Sequence, residues 1–216
     1  MLNSPQYKHI IWDWNGTLLD DAWLFVDVMN NILTKRQMAN ISVEKYREIF
    51  GFPIKNYYKK LGFKLNNESF EKVGMEFINE YKKRRYEANL HKMAVITLSK
   101  LQSMNIRHSI LSAGHQNLVD DLINYYKVEK FFTDVNGLND YYANSKKEKA
   151  LEWLKKVRFD SNEILFIGDT DHDFEVAQSI GVDCILISHG HNCYNRLIKT
   201  GAPIIDHLSD IIKIIK

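Results

Sequence analysis

The chain has 216 residues, 45% apolar and 26% charged, the usage of an ordinary globular protein with one domain, or one domain carrying an insertion. With 3 Pro and 10 Gly a low-complexity or mostly disordered chain is excluded, no apolar run reaches the roughly 18 residues that span a membrane, and the first residues carry no signal-peptide core. The 29 Lys and Arg nearly balance 27 Asp and Glu, giving no basic surface to suggest a nucleic-acid partner, and two cysteines, Cys184 and Cys193, cannot staple a chain this long, which points to a reducing cytoplasm.

In chain order, His9 to Asp13 is a short apolar run that ends on a polar residue, as a buried parallel strand does. Residues 20 to 90 contain no such run. Apolar side chains recur there at helical spacing: Trp23, Val26, Met29 and Leu33; Tyr46, Ile49 and Phe50; Tyr57, Tyr58 and Leu61; Phe70, Val73, Phe77 and Tyr81. Turn signals at Asn40, Gly51-Phe52-Pro53, Gly62 and Asn66-Asn67 divide them into about four helices. A helix follows over Met93 to Met104, then a strand over Arg107 to Ser112 and a weaker one over Phe131 to Asp134. A helix over Glu148 to Lys156 leads to a strand over Glu163 to Asp169. The next helix, Phe174 to Ile180, stops at Gly181, a residue suited to the left-handed C-terminal position. Strands over Val182 to Ile187 and Pro203 to Ile205 complete the pattern. Strands alternating with helices predict an α/β fold with an open, Rossmann-like parallel sheet. The helical block after the first strand reads as a lid over the ligand side.

In such a sheet, ligands bind beyond the carboxyl ends of the strands. Three strand ends carry reactive groups: Asp13-Trp14-Asn15-Gly16-Thr17, Ser112-Ala113-Gly114, and Gly168-Asp169-Thr170-Asp171-His172-Asp173. Ser145-Lys146-Lys147-Glu148 opens a helix between the last two. In these ordered segments the chain resembles the haloacid dehalogenase-like hydrolase superfamily, in its phosphoglycolate phosphatase-like branch with a helical cap. The resemblance covers nearly the whole chain. It implies a Rossmann-like catalytic core at 1–19 and 91–216, a helical cap at 20–90, and a Mg²⁺-dependent phosphatase acting on a small phosphorylated metabolite. Asp13 is then the nucleophile that forms an aspartyl-phosphate, and Lys146 neutralises it. Mg²⁺ is held by Asp13, the Asn15 carbonyl, Asp169 and Asp173. Ser112, Ala113, Gly16 and Thr17 meet the substrate. No nucleic acid or membrane partner is implied, and the expected state is a monomer or homodimer.

Several residues admit plainer readings. Asp169 and Asp173 suit the start of a helix as caps or first-turn acids. Lys146 is the better candidate for the site lysine, with Lys147 beside it as the alternative. His172, His189 and His191 have no zinc-ligand spacing. Lys82-Lys83-Arg84-Arg85 reads as a solvated helix face, Trp23, Tyr57 and Tyr58 as cap core, and Trp12 as packed on the sheet.

One residue departs from the family pattern. The aspartate expected two residues after the nucleophile, which serves as general acid and base, is here Asn15. An amide donates and accepts hydrogen bonds but shuttles no proton near neutral pH. Asn15 also precedes Gly16, a pairing prone to deamidation, and slow conversion would generate the missing acid. Phosphonate chemistry, other phosphoryl transfer, or phosphate binding without catalysis are the alternatives that Asn15 leaves open.

Overall fold

Short β-branched runs do form a sheet, and its order explains where a site can lie. The computed structural model describes residues 7–64, 69–139 and 146–215. The Asn66-Asn67 turn and the Ser145 helix cap lie outside the described residues. The elements run β1 (His9–Trp12), β2 (Leu19–Asp20), α1 (Ala22–Lys35), α2 (Val43–Ile49), α3 (Ile54–Lys60), α4 (Phe70–Arg84), β3 (Asn89–Leu90), α5 (Ala94–Ser103) and β4 (Arg107–His115). They continue α6 (Gln116–Tyr125), β5 (Phe132–Leu138), α7 (Lys146–Leu154), β6 (Ile164–Gly168), α8 (Asp171–Ile180), β7 (Asp183–Ile187), α9 (Tyr194–Leu197), β8 (Ile204–Ile205) and α10 (Ile211–Ile215).

Six strands pair in the order β5-β4-β1-β6-β7-β8, every pair parallel. All six predicted strand runs are present, and the α/β reading holds. The chain leaves β1 for β4 and β5 on one side, then crosses back to β6, β7 and β8 on the other. The order therefore reverses at β1, where a crevice opens between the loops that leave adjacent strands. Every residue of β1 is buried, and its side chains alternate between two apolar layers. Ile10 and Trp12 join the larger layer, which also takes in Leu24, Met29, Tyr57 and Phe77 from α1, α3 and α4. Ile11 joins the other, with Trp153 of α7 and Val176 of α8.

The structure adds what periodicity did not signal. Leu19–Asp20 and Asn89–Leu90 pair antiparallel, a two-residue ribbon at the neck of the 20–90 segment, too short to show any alternation. β4 runs on past Ser112 to His115, with its register to β5 shifting twice. α8 begins three residues earlier than predicted, because Thr170 and Asp173 form a reciprocal capping box. Gly181 then ends it at φ +70°.

Candidate active site

Asp13 follows the last residue of the central strand, and its backbone N–H donates to the Ile167 carbonyl at 2.8 Å, which fixes it at the reversal point. The Lys146 ammonium lies 2.5 Å from Asp13 Oδ1 and 2.6 Å from Asp173 Oδ1. Lys146 is 2% exposed, whereas Lys147 is 46% exposed and only approaches Glu175. The lysine inside the crevice is thus Lys146. A cation in the first turn opposes the helix dipole. Two buried carboxylates explain its place there.

Asp173 has two duties. Oδ1 meets Lys146, while Oδ2 accepts from the N–H groups of Asp169 and Thr170 and from the Thr170 hydroxyl. The plain reading of Asp173 as a first-turn acid is therefore correct as far as it goes, and the same residue anchors the lysine. Asp169 accepts from the Thr17 hydroxyl at 2.8 Å and from the His191 N–H at 2.6 Å. A Cβ at Gly190 would come within 2.1 Å of Asp169, and one at Gly16, where φ is +77°, within 2.4 Å. Only glycine permits so close an approach.

Asp13, Asp169 and Asp173 each bring a carboxylate oxygen within 4.8 Å of the others. Three buried carboxylates share one ammonium, and the imbalance shows in their proton affinities. Burial drives Asp13 well above the usual carboxylate range, against the pull of Lys146 and helped by Asp173 and Asp169. Burial pushes Asp169 up to about 6. At Asp173 burial acts in the same direction but is outweighed by the field of Lys146 and its hydrogen bond, so this carboxyl is lowered. Oxygen donors short of positive charge are what a hard divalent cation satisfies, so the donor set fits one.

Asn15 sits in a second buried network. Its amide N–H₂ donates to Asp21 Oδ2 at 2.6 Å and to the Tyr81 hydroxyl at 3.1 Å. Asp21 also accepts from the Gly16 N–H, the Tyr81 hydroxyl and His191 Nε2. The Tyr46 hydroxyl lies 2.7 Å from His191 Nδ1. Burial alone would lower the His191 pKa. The Asp21 hydrogen bond and charge outweigh it and raise the value. Asp21 occupies the N-cap position of α1 without capping it through its side chain, because its oxygens serve this network. Sequence reasoning missed Asp21, Tyr81, His191 and Tyr46 as a unit. They come from four separate segments, and none matches a motif.

Two expected substrate contacts are placed otherwise. The Gly16 N–H is taken by the Leu19 carbonyl and Asp21, and the Thr17 hydroxyl is fully buried on Asp169. Both residues shape the carboxylate cluster from behind and are absent from the pocket wall. The bonds on the Gly16 N–H also hold it back from attacking the Asn15 side chain, which counters the deamidation route. Ser112 and Ala113 do line the pocket. The Ser112 hydroxyl accepts from the Gly114 N–H at 3.0 Å and stands 3.5 Å from Asn15 Oδ1. Tyr57 and Tyr58, expected as cap core, are buried but also line the pocket, whereas Trp23 is partly exposed. The Lys82–Arg85 run lies outside the pocket, with Lys83 on Glu80, Arg84 on Asp27 and Glu87, and Arg85 on Asp121. His172, His189 and His191 form no shared ligand cluster among the described residues.

A family model described as haloacid dehalogenase-like hydrolase matches residues 10–187. The chain belongs to the haloacid dehalogenase-like hydrolase family. A phosphoglycolate phosphatase of Pseudomonas fluorescens is 24% identical over 94% of this hydrolase and 78% of the relative. A tyrosine-protein kinase, PtkA, of Mycobacterium tuberculosis is 22% identical over 96% of this chain and 70% of its own. Among solved structures, a haloacid dehalogenase-like hydrolase of Streptococcus pneumoniae superposes with a TM-score of 0.85 at 17% identity, covering 98% of this chain and 99% of that one. Proteins similar to this hydrolase are named as phosphatases and as a kinase. None of the described helices of this hydrolase is long and apolar enough to cross a membrane.

Proposed function

We propose that this hydrolase is a cytoplasmic, Mg²⁺-dependent phosphomonoesterase acting on a small phosphorylated metabolite, with residues 20–90 as a cap over a catalytic core formed by 1–19 and 91–216. The observation that carries the reading is the buried Asp13–Lys146–Asp173 array beside Asp169. Asp13 attacks phosphorus, the bond to the leaving oxygen breaks, and an aspartyl-phosphate forms. Lys146 holds Asp13 in its reactive orientation and offsets negative charge on the transferring oxygens. Ser112 and the Ala113 backbone face the phosphoryl group. Asp13, Asp169, Asp173 and the Asn15 carbonyl are the residues that hold Mg²⁺. The bound ion supplies the positive charge that lets an anionic nucleophile approach an anionic phosphate.

Water then attacks the aspartyl-phosphate and releases inorganic phosphate. General acid–base help with such steps is worth about 10²–10⁴-fold, and Asn15 provides none. With an ordinary alcohol both steps lose that help, the leaving oxygen taking its proton from water, and with an activated leaving group dephosphorylation alone is slowed. The same feature favours a second reading, transfer of the phosphoryl group to an acceptor other than water.

The metal is tested by heat as well as by turnover. A carboxyl raised to about 6, as Asp169 is, binds its proton more tightly in the folded chain than in the unfolded one. In the metal-free protein its contribution to stability is complete below about pH 4 and is lost as pH rises through about 6. A divalent ion replaces the proton, so its stabilisation grows over the same interval. Saturating Mg²⁺ is expected to raise Tm by about 5–10 °C at pH 8 and clearly less at pH 5. Phosphate release from 4-nitrophenyl phosphate should need the ion and cease on chelation. Equal Tm with and without Mg²⁺ at pH 8 contradicts the metal site.

A further inference from the structure

We infer that the leaving group this site selects is an uncharged, apolar alcohol of about one-ring size rather than a short hydroxy acid. The inference rests on the phosphatase reading and names the substrate class for it. The cavity that begins at Asp13 and Ser112 continues between the core and helices α1, α3 and α4, with a volume of about 140 Å³. An apolar cavity of about 150 Å³ accepts benzene, and this one is shared with the phosphoryl group, so a single ring is the upper limit for the leaving group. Its outer wall is built from Phe25, Met29, Phe52, Tyr57, Phe77 and Ile78.

No free cation serves that wall. Among the described lining residues Lys146 is the only Lys or Arg, and it is bound between Asp13 and Asp173 at the phosphoryl end. Of the two lining histidines, His191 is held between Asp21 and Tyr46, and His115 accepts from the Asn117 N–H at the start of α6. The nearby guanidinium groups are engaged elsewhere: Arg47 on the carbonyls of His189 and Gly190, and Arg196 on Asp171. The segments 65–68 and 140–145, outside the described residues, contain no Lys, Arg or His.

A carboxylate on the leaving group would lose its water here and meet, besides the phosphoryl end, only neutral donors such as the Tyr57 hydroxyl and the Trp14 indole N–H, which have no other partner among the described residues, so its charge would stay uncompensated, which is costly. A ring would bury its surface and meet aromatic edges and faces that already pack at 5–6 Å, such as Phe25 against Phe77 at 5.2 Å. Glycolate, the alcohol named for the Pseudomonas relative's substrate, is such an acid, so the two proteins are expected to differ in what they cleave.

The test compares benzyl phosphate, ethyl phosphate and 2-phosphoglycolate with Mg²⁺ present. Burial of one ring corresponds to a kcat/KM for benzyl phosphate about 30-fold above that for ethyl phosphate, and phosphoglycolate should rank no higher than ethyl phosphate. Ile78→Arg, which places a cation in the wall, should raise the ratio of phosphoglycolate to benzyl phosphate at least about tenfold, the scale of one charge-assisted contact. Calorimetric binding of benzylphosphonate and phosphonoacetate, neither of which can be hydrolysed as an ester, reads the same preference without turnover. Tighter binding of phosphonoacetate, or a higher kcat/KM for phosphoglycolate, overturns the inference and leaves the phosphatase reading standing. Preferential binding of benzylphosphonate with no phosphate released from any ester sinks the phosphatase reading, and with it the leaving-group assignment, while the pocket's preference for a ring over a carboxylate stands.

Discussion

Lys146→Met is expected to lose about 3–5 kcal/mol of stability in the metal-free protein and at least about 10²-fold in kcat/KM. Among the described residues lining the crevice Lys146 is the only Lys or Arg, and its ammonium lies between Asp13 and Asp173; removing one partner of a buried ion pair leaves uncompensated charge in a poorly solvated place. The chain responds by protonating the carboxyls, which disables the same Asp13 that must attack as an anion. Loss of one preorganised charge at a reacting centre costs about 10²–10³-fold. Urea unfolding and steady-state kinetics measure the two effects. Lys147→Met is the control. Lys147 sits half exposed against Glu175, and surface changes of this kind stay within about 0.5 kcal/mol. Equal effects at the two lysines would remove Lys146 from the site.

Asn15→Asp, the substitution that restores the residue expected from the family, is expected to destabilise this chain by about 3 kcal/mol at pH 8, the cost of two buried carboxylates without a proton between them. The reason is local. The Asn15 amide donates to Asp21 Oδ2 at 2.6 Å, and Asp21 has no exposed surface. An aspartate there turns a donor–acceptor contact into two facing carboxylates. One of them keeps a proton at low pH, so the loss grows as pH rises. Asn15→Asp combined with Asp21→Asn swaps the two groups, restores the hydrogen bond, and should recover most of the stability. Only the double variant then tests whether a carboxyl at position 15 speeds dephosphorylation. If the single variant is as stable as the native protein at pH 8, the network around Asp21 is not as tight as the distances imply.

These two residues also mark what the sequence makes legible and what it hides. Asp13, Lys146 and Asp169 lie at the ends of strands or the start of a helix, where the order of the family's motifs points to them, although only burial separates Lys146 from Lys147. The strands themselves are legible because β1 and β6 are buried on both faces and, His9 apart, are apolar. Asn15 stands out as a departure, but its compensation does not. Asp21, Tyr46, Tyr81 and His191 meet through tertiary packing of segments as much as 170 residues apart, and no short spacing encodes that. The β2–β3 ribbon is hidden for another reason, since two residues cannot display a period of two. Tyr57 and Tyr58 show a third limit. Helical spacing reports that a side chain turns inward, yet an inward wall can be core, pocket or both.

The central claim is that Asp13 is phosphorylated and that Asn15 leaves hydrolysis of the product slow. Pre-steady-state release of 4-nitrophenol from 4-nitrophenyl phosphate with Mg²⁺ tests it most directly. This leaving group needs no acid, so the first step should run freely. A burst approaching one equivalent per chain is expected, then turnover slower by about 10²-fold or more, and neither phase in Asp13→Asn. A linear trace with no burst would place the slow step at or before phosphorylation and contradict slow hydrolysis, and a burst that survives in Asp13→Asn would contradict the assignment of the nucleophile.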